Sequence, residues 1–454
     1  MARKLFGTDG VRGVAGELLT AELALALGRA ATAQAGADRP RVVVVRDTRE
    51  SGEMLEAALA AGITSAGGDA LLGGILPTPA APLLLGRYGF DLAAVISASH
   101  NPFADNGIKF FGADGFKLSD ATELAIEQRL GADHARAPSA AHADTAGRGL
   151  PRPERLGRVQ RLHGTQEDYL RGLHERFAGL DLSGLDVLLD CAHGATYRVA
   201  PEIFRRLGAG VTVVADEPDG RNINAGCGST HVDALATAVR EGGHDVGFAF
   251  DGDGDRVLAA DRTGAVVDGD ELIALAALYL RAHDRLPGGG VVVTVMTNYG
   301  FHTAMRAAGI QVATTKVGDR YVLEELRARG WALGGEQSGH VIDMGFVPSG
   351  DGIASALLTL EALAGGDLAD RQAMEKLPQR LVNVRVVDRD GAMASAELAQ
   401  ATERESAALS GRGRVLIRPS GTEPLVRVMV EAPSAEEADE VCARLVATVA
   451  TAAG

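Results

Sequence analysis

The strongest constraint on this chain is a pattern that occurs three times. A short, largely apolar run stops abruptly at a polar, glycine-containing or proline-containing loop. Residues 92–96 run into Ser97-Ala98-Ser99-His100-Asn101-Pro102, residues 186–189 into Asp190-Cys191-Ala192-His193-Gly194, and residues 246–250 into Asp251-Gly252-Asp253-Gly254-Asp255-Arg256. Apolar runs of this length bounded by turn residues read as buried strands. Between such runs lie helical patterns. Met54, Leu55, Ala58, Leu59, Gly62 and Ile63 share one helical face. Pro77-Thr78-Pro79 suits the first turn of another helix. Strands at 41–45, 70–75 and 92–96 alternating with helices predict a mostly parallel sheet covered by helices. In such sheets ligands bind just past the carboxyl ends of strands, where the polar loops lie.

With 454 residues the chain is too long for one core. Its last section changes character. Strands are expected at 381–387, 415–417 and 425–430, a helix near 395–408, and a terminal helix opened by Ser434 with Glu437 as a capping box. This predicts a small α+β domain. Residues 131–165, rich in Ala, Gly, Pro, Arg and His, read as a surface excursion that holds the first boundary. The expected division is 1–150, 151–247, 248–368 and 369–454.

Several stretches carry chemistry. Pro102 pushes Asn101 toward extended backbone, so Ser99 sits on a stiff loop, where it can close a turn or act as a nucleophile. Asn106-Gly107 is a hairpin signal, and Lys109 beyond it is either an exposed strand charge or a cation close to Ser99. Asp251, Asp253 and Asp255 alternate, which puts their carboxylates on one side of an extended loop that either takes a cation, Mg²⁺ or Ca²⁺, or is a solvated acidic turn. An EF-hand is excluded, because its glycine position holds Arg256 and its final glutamate position holds Arg262. Arg418-Pro419-Ser420-Gly421-Thr422, with Arg427 on the next strand, can form a phosphate nest or an ordinary turn. Gly334-Gly335-Glu336-Gln337-Ser338-Gly339-His340 can present Glu336 and Ser338 to the hydroxyls of a polyol or simply connect two elements. Phe6-Gly7-Thr8-Asp9-Gly10-Val11-Arg12-Gly13 offers Arg12 as a phosphate contact or reads as a plain turn. Together, a serine, a cation site, a polyol site and a phosphate site suggest phosphoryl transfer.

The net charge of -15 argues against a nucleic-acid partner, so an anionic substrate must be drawn in by local basic groups. Three widely spaced cysteines form no disulfide or zinc pattern and fit a reducing cytoplasm. The N-terminus shows no signal-peptide core, and no run approaches a membrane span. No Walker A, dinucleotide or G-x-S-x-G motif is present.

Four motifs in this order, around Ser99, Asp251 to Arg256, Gly335 to His340 and Arg418 to Thr422, resemble the α-D-phosphohexomutase superfamily over essentially the whole chain. The N-terminal glycine stretch, Gln337, and Asn222-Ile223-Asn224 with Cys227-Gly228-Ser229-Thr230-His231 are most similar to the bacterial branch that acts on glucosamine phosphates. The resemblance implies four domains around a central cleft, three related mixed α/β domains and a C-terminal α+β domain. It implies a phosphorylated Ser99 that converts glucosamine 6-phosphate to glucosamine 1-phosphate through a 1,6-bisphosphate, feeding cell-wall amino-sugar synthesis. Mg²⁺ would be held by Asp251, Asp253, Asp255 and an oxygen on Ser99. Glu336 and Ser338 would take sugar hydroxyls. Arg418, Ser420, Gly421, Thr422 and Arg427 would hold the idle phosphate. Arg12, Lys109 and Arg256 would surround the phosphoserine, with Lys109 and His340 as candidate acid and base. A cytoplasmic homodimer is compatible with the branch. The competing expectation is a phosphomannomutase or phosphoglucomutase of the same superfamily. Related phosphomannomutases carry His at the place of Asp319, which leaves the role of that residue open.

Overall fold

The computed structural model describes residues 5–7, 9–134, 153–420 and 423–452. The chain forms two compact units, residues 1–295 with 313–371, and residues 296–312 with 372–454. The expected first boundary, at 150, lies outside the described residues.

The first sheet contains β1 (Val11–Val14), β2 (Arg41–Arg46), β3 (Asp69–Ile75), β4 (Leu92–Ile96), β5 (Asp105–Gly112) and β6 (Val159–Arg161), in the order β1-β5-β4-β2-β3-β6. β4, β2, β3 and β6 run parallel, while β5 is antiparallel to β4 and β1. Val42, Val44, Ala94 and Ile96 join Leu27, Leu55, Leu59 and Ile63 of the covering helices in one core. Those helices, Ala21–Gln34 and Ser51–Ser65, meet at glycines. A Cβ on Gly28 would lie 2.4 Å from the Leu59 carbonyl oxygen and one on Gly62 2.0 Å from that of Leu25, so no larger residue fits at either place. β6, inside the stretch read as a surface excursion, is exposed along its length.

The second sheet holds β7 (Asp186–Asp190), β8 (Gly210–Val214), β9 (Val246–Phe250), β10 (Val257–Asp261) and β11 (Val266–Val267), ordered β11-β10-β9-β7-β8. β8, β7 and β9 are parallel, and β10 is antiparallel to β9. The third holds β12 (Gly290–Thr294), β13 (Gln311–Thr315), β14 (Leu333–Gly335) and β15 (Val341–Asp343), ordered β13-β12-β14-β15. Here β14 is parallel to β12 and β15 turns back antiparallel. In the other unit, β16 (Gln379–Arg385), β17 (Arg414–Pro419) and β18 (Leu425–Glu431) form an antiparallel sheet ordered β16-β18-β17. Val426, Val428 and Val430 of β18 pack with Leu445 and Val449 of the terminal helix Ala435–Ala452. As the capping box requires, Ser434 Oγ accepts the Glu437 N–H at 3.2 Å.

The sheets correct the expectation of mostly parallel pairing in one respect. In each of the first three, the strand that leads into a chemical motif is followed at once by an antiparallel partner: β4 by β5, β9 by β10, β14 by β15. The β17–β18 connection repeats the arrangement in the second unit. Each motif is therefore the tip of an antiparallel connection, anchored by a ladder on both sides. Asn106-Gly107 is not a hairpin turn; it lies within β5, and the reversal is made by residues 97–104. Gly107 is needed for close approach, since a Cβ there would lie 2.5 Å from the Ser97 carbonyl oxygen.

Candidate active site

Ser99 sits at the tip of the β4–β5 connection and is 1% exposed. Its φ of 53° is left-handed, a conformation that costs a non-glycine residue about 1–3 kcal/mol. Its N–H donates to Ser97 Oγ at 2.9 Å, and Ser97 Oγ donates to Asp47 Oδ2 at 2.6 Å. The strained serine is thus tied back to the end of β2. Ser99 Oγ lies 2.5 Å from Asp251 Oδ2 and 3.3 Å from His100 Nδ1.

Asp251, Asp253 and Asp255 are all buried, and one oxygen from each lies within 4.8 Å of the others. The loop that carries them is a turn with Gly254 at φ 69°, not an extended segment. Convergence comes from the reversal, so the expected alternation is not the cause. Burial, then repulsion from Asp255 and Asp253, pushes the Asp251 carboxyl well above the usual range. Asp253 Oδ1 and Asp255 Oδ1 are buried without a hydrogen-bond partner. Three crowded carboxylates with two orphaned oxygens fit a hard cation such as Mg²⁺.

A ring of alternating charge surrounds this triad. Lys109 Nζ, itself buried, is 2.8 Å from Asp253 Oδ2, 3.5 Å from Asp255 Oδ2 and 3.7 Å from Asp9 Oδ2. This decides the open reading of Lys109: it is a buried cation within the site. Burial alone would lower its pKa, but Asp253, Asp9 and Asp255 outweigh that and raise it, so the side chain stays an ammonium. Asp9 also pairs with Arg12 and Lys117, and Lys117 pairs with Asp319. His340 bridges the remaining gap, Nε2 being 3.7 Å from Asp319 and Nδ1 3.6 Å from Asp255. Arg12 Nη1 donates to the Ala98 carbonyl at 3.4 Å, next to Ser99. Arg256 takes the same loop from the other side, with Nη1 3.1 Å from His100 Nδ1 and its N–H 3.2 Å from Asp251 Oδ1. The Nε atoms of Arg12 and Arg256 are buried without hydrogen-bond partners, although Arg256 Nε lies 3.9 Å from Asp255 Oδ1.

In the β14–β15 connection Glu336 is buried, and its Oε1 accepts the Gly318 N–H at 2.9 Å. Ser338 is exposed. Gln337 turns to Asp268, with its Nε2 3.2 Å from Asp268 Oδ2. In the second unit, Arg418 and Arg427 are cross-strand partners on β17 and β18. Neither has a carboxylate within ion-pair distance among the described residues, and burial together with Arg427 lowers the Arg418 pKa. Arg427 Nε is buried without a partner. Ser420 is buried, and its carbonyl accepts from Arg389 Nη1 at 2.7 Å. Two neighbouring unneutralised guanidiniums fit an anion. Gly421 and Thr422 lie outside the described residues.

Four family models match the chain end to end. They are Phosphoglucomutase/phosphomannomutase alpha/beta/alpha domain I over residues 3–137, domain II over 167–264, domain III over 268–384 and the C-terminal domain over 381–448. The chain belongs to the phosphoglucomutase/phosphomannomutase family. Among its relatives, the phosphoglucosamine mutase of Moorella thermoacetica is 52% identical over 447 residues, covering 97% of this chain and 98% of its own. That of Mycobacterium tuberculosis is 51% identical over 457 residues, covering 99% and 98%. A Burkholderia thailandensis phosphoglucomutase/phosphomannomutase family protein shares the fold, with a TM-score of 0.79 at 23% identity over 100% of this chain and 98% of that one. No helix among the described residues is long and apolar enough to cross a membrane.

The residues themselves pointed to Ser99, the three aspartates, Lys109 and Arg12, the resemblance added Arg256 and His340, and within the first unit the structure brings all of these together. Sequence reasoning missed Asp9, Lys117, Arg49 and Asn224 as members of the site. Asp9 and Asn224 stand within glycine-rich stretches that were singled out. Lys117 and Arg49 carry no local signal, since only the fold brings them to the loop.

Proposed function

We propose that this chain is a phosphoglucosamine mutase that interconverts glucosamine 6-phosphate and glucosamine 1-phosphate in the cytoplasm. The observation that carries the reading is Ser99 Oγ at 2.5 Å from a buried three-aspartate cluster ringed by Lys109, Arg12, Arg256 and His340. The 50–52% identity to enzymes of that name over nearly the full chain supports the choice of sugar. Free Cys191, Cys227 and Cys442 agree with a reducing compartment.

In this reading Ser99 carries a phosphoryl group. The sugar O1 attacks its phosphorus, a new P–O1 bond forms and the bond to Ser99 Oγ breaks. The 1,6-bisphosphate turns over in the site, and Ser99 Oγ takes the phosphoryl group from O6. One proton leaves each attacking hydroxyl and one returns to each departing oxygen, so the cycle consumes none. Asp251, Asp253 and Asp255 would hold Mg²⁺, which supplies charge neutralisation at the transferring group. Lys109 Nζ, kept charged by its carboxylates, supplies positive charge at the transferring group, and His340 is the proposed proton carrier. Arg12 and Arg256 flank the phosphoserine. Glu336 and Ser338 take sugar hydroxyls. Arg418, Ser420, Gly421, Thr422 and Arg427 hold the phosphate that is not reacting. A single phosphate site can serve both halves because the sugar reverses.

A phosphorus NMR time course with Mg²⁺ on glucosamine, glucose and mannose 6-phosphates tests the reading. Much faster conversion of the glucosamine ester is expected. Equal or better conversion of a neutral sugar would move the protein to the phosphomannomutase or phosphoglucomutase branch.

A further inference from the structure

Arg49 is 0% exposed, with no solvent contact at all. A guanidinium has five N–H donors, and all five are used here. Nε donates to Asp47 Oδ2 at 2.8 Å. Nη2 donates to the carbonyls of Ser99 at 2.9 Å and Asn101 at 2.8 Å. Nη1 donates to the carbonyls of Pro102 and, at 3.0 Å, Asp105. Four of the five bonds therefore fall on the backbone of one loop, the loop that presents Ser99. Asn224 Nδ2 repeats two of them from the next sheet, reaching the Ser99 carbonyl at 2.9 Å and the Asn101 carbonyl at 3.1 Å. Asp47 closes the circuit by accepting from both Arg49 and Ser97, the residue whose hydroxyl receives the Ser99 N–H. Burying an arginine is costly unless every donor is satisfied, and cheaper residues could fill the volume. What the arginine provides is a rigid fork that pins carbonyls pointing in a fixed direction. The pinned backbone includes Ser99 at φ 53°, which a free loop would relax.

We propose that Arg49, seconded by Asn224, is a positioning residue for the nucleophile, holding Ser99 in its left-handed backbone so that Oγ faces the aspartate cluster. This rests on the mutase reading above. It assigns Arg49 no contact with substrate. Its loss should therefore lower kcat and leave KM for glucosamine 6-phosphate almost unchanged. Displacing a reacting atom by about 1 Å costs on the order of 10²-fold in rate.

The test uses the full-length enzyme with R49K and N224A. Lysine keeps the charge but has three donors, too few for four carbonyls and Asp47. R49K should lose roughly 10²-fold in kcat with KM within about twofold of wild type. N224A, which removes one donor group and leaves Arg49 in place, should show a smaller loss of the same kind. Hydrogen–deuterium exchange of peptides covering residues 97–105 should speed up in both, with the rest of the protein unchanged. Unchanged kcat with a lowered melting temperature would overturn the proposal, as would an equal rise in KM. If R49K does not fold, N224A decides by the same criteria. If wild-type enzyme fails to convert glucosamine 6-phosphate, the mutase reading fails, while exchange in the 97–105 loop still reports whether Arg49 and Asn224 hold it.

Discussion

Lys117 forms an ion pair with Asp319, 202 positions further along the chain. Lys117 stands just after β5, and Asp319 opens the helix Asp319–Arg329. Gly318, next to Asp319, donates its N–H to Glu336 of the proposed sugar loop. The pair thus links the half of the unit that bears Ser99 to the half that bears Glu336. Removing the lysine leaves two half-buried carboxylates, Asp9 and Asp319, without it. K117M is expected to reduce kcat/KM about tenfold, chiefly through KM, and D319N added to it should cost less than the sum of the two single changes. Steady-state kinetics on the double-mutant cycle measures this; strict additivity would show that the pair does not act as a unit.

Among the described residues, Ser99 Oγ is the hydroxyl that bonds Asp251, and in this reading it carries the transferable group. S99A should lower turnover by at least about 10³-fold. The loop's backbone is held by groups other than the hydroxyl, so circular dichroism and the melting temperature should stay close to wild type. Near-normal turnover by S99A would end the assignment of Ser99 as nucleophile.

The crowded aspartates predict that a cation stabilises the folded chain. A ligand at 100 times its dissociation constant adds about 2.7 kcal/mol to stability by mass action. Thermal unfolding of wild type should therefore shift upward on adding Mg²⁺ and downward with a chelator. D253N should abolish the Mg²⁺ shift, because it removes one of the three converging ligands. An identical shift in D253N would place the cation elsewhere.

In the second unit, His302 is half-buried near Arg414 and Arg306, and its pKa is lowered to about 4, partial burial being the larger cause. An unfolded histidine titrates near 6.5, so below that pH the unfolded chain binds a proton that the folded one refuses. The stability this neutral histidine contributes is complete above about pH 6.5 and is lost as pH falls toward 4. H302Q should flatten that part of the stability profile, measured by urea unfolding between pH 4 and about pH 7. An unchanged slope in H302Q would assign the acid sensitivity to other groups.

Arg418 and Arg427 are cross-strand partners, and among the described residues neither has a carboxylate within ion-pair distance. An anion bound there binds equally in ground and transition states, so R427M should raise KM about tenfold or more and change kcat less. Titration with inorganic phosphate should show the same loss of affinity. A pure kcat effect would argue that the pair serves the chemical step instead.

The sequence made the strands and most of the site legible because buried strands are continuous apolar runs and each ends at an abrupt change of polarity. β4 and β9 were expected at the bounds they have, 92–96 and 246–250. The reversal after each was not legible, since strand direction depends on which neighbour pairs and leaves no mark in the run itself. Asn106-Gly107 misled for the same reason: a dipeptide that favours turns also lets two backbones approach inside a strand. Lys117 and Arg49 were invisible as site members because most of their partners lie far away in sequence, whereas Asp9, paired with Arg12, stood in a stretch singled out for its arginine. The distances from Arg49 to Pro102 and from Lys117 to Asp319 are 53 and 202 positions. Arg12 and Lys109 were candidates from their local stretches, each with a bland alternative, whereas the His340 role came from the resemblance; the structure gives each a carboxylate partner.

The reversals also govern how this scaffold can change. Each motif is clasped between two paired strands, so its ends are fixed in space and in register. Within the loop, residues can be exchanged without moving the frame. Within the strands, a single inserted residue would turn every side chain of the ladder to the opposite face. If the proposed sugar loop, 336–340, reads the substrate, its residues can be exchanged while the strands around them resist insertion. Selectivity is cheap to alter in this architecture, and the catalytic frame is hard to lose by degrees.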